Sequence, residues 1–145
     1  MRPGITPDID VMTANECRLV RLTFPLLREY EVSLALLFYG KLFELDPGAR
    51  KLFHNDLSLQ SQKLLEMLAS VVESLDNLEP LRARLAELGR KHTEYGVRHE
   101  QYETLTTALL WAIAQALGPD FDAATRDAWH HAISTISRAM QAGTA

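Results

Sequence analysis

The amino-acid sequence predicts an all-α fold, and three observations predict it. Apolar residues recur at three- and four-residue spacing through most of the 145 residues. No run alternates apolar and polar long enough to make a strand. The 7 glycines and 6 prolines are few and fall between the apolar-periodic segments.

The elements follow in chain order. Residues 1–12, "MRPGITPDIDVM", read as an N-terminal arm, and residues 13–145 as one domain. "TANE", Thr13 to Glu16, has the pattern of a capping box. The helix it starts carries Leu19, Leu22, Leu26 and Leu27, with a bend or break expected at Pro25. A second helix over 31–44 is apolar on more than one side and should be buried. Asp46 as cap and Pro47 at the first position predict a short helical turn. "HNDLSL" reads as a loop. A helix over 58–75 places Leu64, Leu68, Val71 and Leu75 on one stripe. A helix over 79–92 carries Leu78, Leu81, Leu85, Leu88 and His92, and the pattern breaks around Gly96. Helices over 100–117 and 122–141 are separated by the stop-and-start signal "GPDFD". The total is six longer helices and one short one, within an expected six to eight.

Composition narrows the function classes. The hydrophobic fraction is 47% and the charged fraction 23%, ordinary for a soluble globular domain. The net charge of −4, without a dense Lys/Arg run, argues against nucleic acid or an anionic membrane as partner. Cys17 is the single cysteine, so no intrachain disulfide forms and a reducing compartment is expected. The N-terminus lacks the continuous apolar segment of a signal peptide, and no stretch approaches the roughly 20 apolar residues of a spanning helix. The expectation is a cytoplasmic protein, monomeric or a weak homo-oligomer.

Three sets of residues could carry chemistry. His92 continues an apolar stripe, so its ring nitrogens need partners in the core. A hydrogen bond is the plain solution; a metal on one nitrogen is the other. No zinc-ligand spacing accompanies it. A lone histidine in an apolar surround suits haem iron better, because the porphyrin supplies four ligands. Tyr39 lies in the buried second helix, and Gln60 shares a helix face with Leu64. Internal hydrogen bonding or solvent could satisfy these polar groups, or they could meet a small ligand. Phe43 and Phe53 read as core aromatics. His99 is expected to be solvated, and His130 and His131 point about 100° apart, a poor metal pair. Phosphate loops, nucleophile elbows and CxxC motifs are absent.

Order and spacing add a family. "LFYGKLFELDPGARKLF" at 37–53, Gln60 with Leu64, "DNLEPLRARLAELGRKHTEYGVRHEQY" at 76–102 and "DAWHHA" at 127–132 resemble the globins, within them the haem domain of flavohaemoglobins and the bacterial single-domain haemoglobins. The resemblance covers about 13–141 and implies a globin fold around one haem b, iron protoporphyrin IX. His92 matches the proximal iron ligand, and Phe53 the phenylalanine packed on the porphyrin. Tyr39 and Gln60 match the distal hydrogen-bond donors, the residues expected to act in catalysis. Leu64 matches the apolar residue above the iron, and Tyr102 the proximal-side tyrosine. Leu88 and Val97 match further haem contacts. There are two departures. No reductase domain or nucleotide fingerprint follows. The family's glutamate in the last helix falls on Thr144, so donation from His92 to iron should be weaker than in the full enzymes.

The resemblance implies binding of oxygen, nitric oxide and carbon monoxide. The two donors predict tight oxygen binding, slow release and a five-coordinate ferrous form, since Gln60 cannot serve as a histidine ligand. Slow release fits nitric oxide dioxygenation with an external electron donor better than transport. An oxygen store, a scavenger, a gas sensor without turnover and a haem-free scaffold are the alternatives.

Overall fold

The expected capping box opens the first helix. In a computed structural model, which describes residues 12–53 and 57–143, the Glu16 N–H donates to Thr13 Oγ1 at 3.1 Å, and the Thr13 N–H donates to Glu16 Oε1 at 2.9 Å. Two otherwise orphaned backbone donors are thereby satisfied. Helix α1 then runs Ala14–Glu29 without a break at Pro25. Pro25 is exposed, so the carbonyl it leaves without an N–H partner is on the solvent side and can be hydrated. Met12, the last residue of the expected arm, packs against the core; residues 1–11 lie outside the described residues.

The remaining helices are α2 (Glu31–Leu45), α3 (Leu57–Glu73), α4 (Glu79–Glu94), α5 (Gln101–Leu117) and α6 (Ala123–Ala142). Short 3-10 turns occupy Pro47–Leu52 and Gly118–Asp120. Among the described residues there is no strand, as the all-α reading requires, and no helix long and apolar enough to cross a membrane. The expected turn at Pro47 is present, with Pro47 at its first position, but Asp46 makes no side-chain cap. The expected loop over 54–59 is already helical from Leu57, while 54–56 lie outside the described residues.

The layers form by apolar burial. Helix α2 packs chiefly on α5, α4 on α6, and α1 on α6 and α3. Trp129 of α6, only 1% exposed, is a central member of the core. Its Nε1–H donates to Thr23 Oγ1 at 2.9 Å, and that hydroxyl donates to the Leu19 carbonyl at 2.8 Å. The buried polar atoms are thus satisfied while the ring joins α6 to α1.

Two glycines depart from the expectation that glycine falls between helices: Gly40 lies in α2 and Gly89 in α4. At Gly89 the reason is contact. A Cβ there would stand 1.8 Å from the Met140 carbonyl oxygen, so only glycine lets α4 approach α6 this closely. Gly143 makes the matching approach to the Ala86 carbonyl, where a Cβ would stand at 2.0 Å.

Candidate functional site

His92 sits in the last turn of α4 and is half-buried. Its Nδ1 lies 2.7 Å from the Leu88 carbonyl oxygen. A carbonyl only accepts, so Nδ1 carries the proton and donates. The Nε2 lone pair is left for another partner. This is the tautomer and second-sphere bond that orient a metal-ligating imidazole.

The chain turns sharply behind this residue. Gly96 adopts φ +102°, a conformation that favours glycine, and ends α4. Its N–H donates to the Thr93 carbonyl at 3.0 Å, and the Val97 N–H donates to the His92 carbonyl at 2.9 Å. This Schellman arrangement places half-buried Val97 directly after the His92 turn. Tyr102, in the first turn of α5, brings its ring centroid to 6.4 Å from the His92 ring. The Tyr102 hydroxyl is buried and, among the described residues, without a hydrogen-bond partner, and burial pushes its pKa up. The structure therefore brings together His92, Leu88, Val97 and Tyr102. Thr144, expected at the glutamate position, lies outside the described residues.

A second group forms on α2 and the turn after it. Tyr39 is 6% exposed. Its ring meets Phe38 at 4.9 Å, Phe53 at 5.2 Å and Phe43 at 6.2 Å between centroids. Phe43 and Phe53 also meet edge-on at 5.7 Å. Burial pushes the Tyr39 pKa up to about 12, so the phenol keeps its proton across the physiological range. Gln60 and Leu64 stand one turn apart on α3, both half-buried. Among the described residues, no ring contact or hydrogen bond joins the Tyr39–Phe53 group to the His92–Tyr102 group.

A cleft of about 600 Å³ lies between α3 and α4. Its apolar lining includes Met67, Leu81, Leu85 and Leu88, and its rim carries Lys63, Arg84 and Lys91 with Glu66 and Glu87. The volume falls in the usual range for a cofactor site. Leu88 is the expected site residue found there. The rim cations were missed from sequence, although Lys63 stands three residues after Gln60 and Lys91 three after Leu88, the spacing of a shared helix face. Phe38 was missed as well, being one more apolar residue in an apolar helix.

His99, His130 and His131 behave as expected; His54 lies outside the described residues. His99 and His130 are exposed, and His131 is half-buried with Nδ1 3.1 Å from Glu16 Oε1. No group of three or more metal-ligating side chains forms among the described residues. A single histidine would suffice only for a metal that brings its other ligands with it.

Residues 36–140 match the family model described as Globin. Neuroglobin-1 of Oncorhynchus mykiss is 28% identical, over 94% of this chain and 95% of that protein. The neuroglobin of Danio rerio is 30% identical over the same shares. Among solved structures, a Rhodothermus marinus protein named for nitric oxide dioxygenase activity, in the form of an engineered carbene transferase, superposes with a TM-score of 0.81 at 27% identity, covering 91% of this chain and 92% of its own. A bacterial globin from Campylobacter jejuni gives 0.79 at 25% identity, covering 90% and 95%. The flavohaemoglobin of Malassezia yamatoensis shares the fold at a TM-score of 0.73 and 19% identity, and this chain spans 36% of its length.

Proposed function

Since the chain belongs to the globin family, whose members bind haem and small gases, we propose that it holds haem b through His92 and consumes nitric oxide with oxygen, using an external reductant. The observation that carries the reading is the His92 ring. Its Nδ1–H is committed to the Leu88 carbonyl at 2.7 Å, which directs the Nε2 lone pair outward as a ligand. The residues present fit the group: one oriented imidazole, an adjacent apolar cleft, and cations at the rim suited to propionate carboxylates.

Haem iron, when bound, supplies the point where oxygen meets nitric oxide, yielding nitrate and ferric iron that one electron from outside returns to ferrous. The protein supplies the surroundings. Phe53 would pack against the porphyrin, with Leu64, Leu88 and Val97 lending further apolar contact. Tyr39 and Gln60 would donate hydrogen bonds to the bound gas. The Tyr39 phenol suits that task because burial keeps it protonated and a low local dielectric strengthens its bond. Tyr102 stands behind His92 and limits how its ring tilts.

The test begins with absorption spectra of haem-loaded protein, ferric, reduced, and reduced under carbon monoxide. A Soret band that shifts with carbon monoxide is expected, lost in His92→Ala and restored by imidazole. Stoichiometric nitrate from the oxygenated protein plus nitric oxide is expected next, with turnover once a reductant is supplied. Tyr39→Phe should release oxygen about tenfold faster or more, the effect of one lost hydrogen bond to a charged acceptor. Unchanged release would remove Tyr39 from the mechanism. Oxygen binding without nitrate formation would leave an oxygen store or sensor.

A further inference from the structure

Gln101 opens α5 and is 7% exposed, one of the few buried polar side chains. Its amide Nε2–H donates to Asp46 Oδ2 at 2.9 Å. Its Oε1 accepts from the Arg98 backbone N–H at 2.7 Å. The two partners fix the orientation of the amide, since one only accepts and the other only donates. They also belong to different walls. Asp46 joins the end of α2, which carries Tyr39, to the turn that leads into Phe53: its N–H donates to the Leu42 carbonyl at 2.8 Å, and its carbonyl accepts from the Ala49 N–H at 2.9 Å. Arg98 follows Val97, which is bonded to the His92 carbonyl. Among the described residues, the Asp46 carboxylate caps nothing in its own turn and instead accepts from Gln101.

We propose that Gln101 is a positioning residue that holds the proximal corner, at Val97–Arg98, in register with the distal corner, at Asp46–Phe53, across the haem pocket. This rests on the reading that His92 and Tyr39 serve one haem from opposite sides. A buried side chain bonded at both ends transmits displacement, because moving either corner orphans a buried polar group. Neither corner touches the other through rings or ion pairs among the described residues, so the amide is the polar link between them.

A swap of donor and acceptor tests it. Gln101→Glu sets a carboxylate against Asp46. Adding Asp46→Asn restores the bond with its direction reversed, at the wild-type net charge, and the new carboxylate still accepts from the Arg98 N–H. In haem-loaded protein, Gln101→Glu alone should shift both the iron–histidine stretching band of the ferrous form and the C–O stretching band of the carbon monoxide complex. Haem transfer to an apo-acceptor should quicken roughly tenfold, the size of one buried hydrogen bond. The double variant should return all three readouts to wild type. A shift of one band without the other, or no rescue in the double variant, overturns the proposal. If Gln101→Glu does not fold, Gln101→Met, nearly isosteric and apolar, takes its place and should shift both bands. Amide hydrogen exchange on the haem-free chain decides separately from haem binding. Gln101→Met, which removes both bonds, should exchange faster at both Ala49 and Arg98; faster exchange confined to one of them overturns the brace even where haem uptake succeeds.

Discussion

Gly89→Ala tests how the histidine-bearing helix is held. On helix propensity alone the change should stabilise, since alanine is favoured over glycine by about 1 kcal/mol inside a helix. Contact opposes this. The new Cβ would stand 1.8 Å from the Met140 carbonyl oxygen, 2.6 Å from its carbon and 2.9 Å from its Cα. All three are backbone atoms, so no rotamer change relieves them. Reaching ordinary contact requires α4 and α6 to part by roughly 1.5 Å, which opens a gap along a packed interface. Overpacking of this kind costs about 1–3 kcal/mol and more where backbone must move. A net loss of about 2–3 kcal/mol is expected, a fall in Tm of roughly 10 °C for a domain of this size. Gly40→Ala is the matched control: nothing lies within 4 Å of its would-be Cβ, so it should stabilise by about 0.5–1 kcal/mol. Thermal unfolding followed by far-ultraviolet circular dichroism reads both. Haem transfer should also quicken in Gly89→Ala, because His92 lies three residues along the displaced helix. A Gly89→Ala protein as stable as Gly40→Ala would refute the close approach of α4 to α6.

Tyr102→Phe should stabilise the haem-free chain by about 1–3 kcal/mol, because it removes a buried hydroxyl that has no hydrogen-bond partner among the described residues; a loss of stability in urea unfolding would show that the hydroxyl is paired. Glu16 gives a pH dependence. Burial pushes its carboxyl up, but the Thr13 N–H and His131 outweigh that and hold it below its ordinary value of 4.5. A depressed native pKa contributes stability that is present above 4.5 and lost as pH falls through the folded value. Wild type should therefore exceed Glu16→Gln in denaturant midpoint near neutrality, and the two should converge in acid; a constant gap down to pH ~3 would count against the contribution.

Local signals carried most of the fold. The Thr13–Glu16 box, the stop and start at "GPDFD" and Pro47 at a first helical position are all read within a few residues, and the helix bounds fall close to expectation. Pro25 misled because its effect depends on which side of the helix it occupies, and only the packed structure sets that side. For the candidate site, residue type and family pattern named the residues, and the structure places Tyr39 against Phe53 and the His92 ring near Tyr102. What escaped is long-range. Gln101 and Asp46 are 55 residues apart, and nothing near either announces the other. Gly89 carries no local signal of its role, and its contact with Met140 exists only once α4 and α6 are packed. Lys63, Arg84 and Lys91 share an edge only once α3 and α4 form the cleft.

On the proposed reading, the two halves of the site reach a chemical group that is free among the described residues, and by the same route. His92 has two ring nitrogens, and the backbone of its own helix takes one of them through the Leu88 carbonyl. Tyr39 has one hydroxyl and a large ring, and three phenylalanines hold the ring by contact alone. In each case the orientation is set by atoms that do not compete for the reactive one. A hydrogen bond to the Tyr39 hydroxyl would also fix the ring, but it would engage the donor and set a cost on ligand binding. Apolar packing fixes it without that cost. It follows that Phe53→Ala and Tyr39→Phe act on the same interaction by different means: the first loosens the donor and the second deletes it. Their effects on oxygen release should be strongly non-additive, with the double variant close to Tyr39→Phe alone. Simple additivity would mean that Phe53 acts on the ligand independently of the tyrosine it touches.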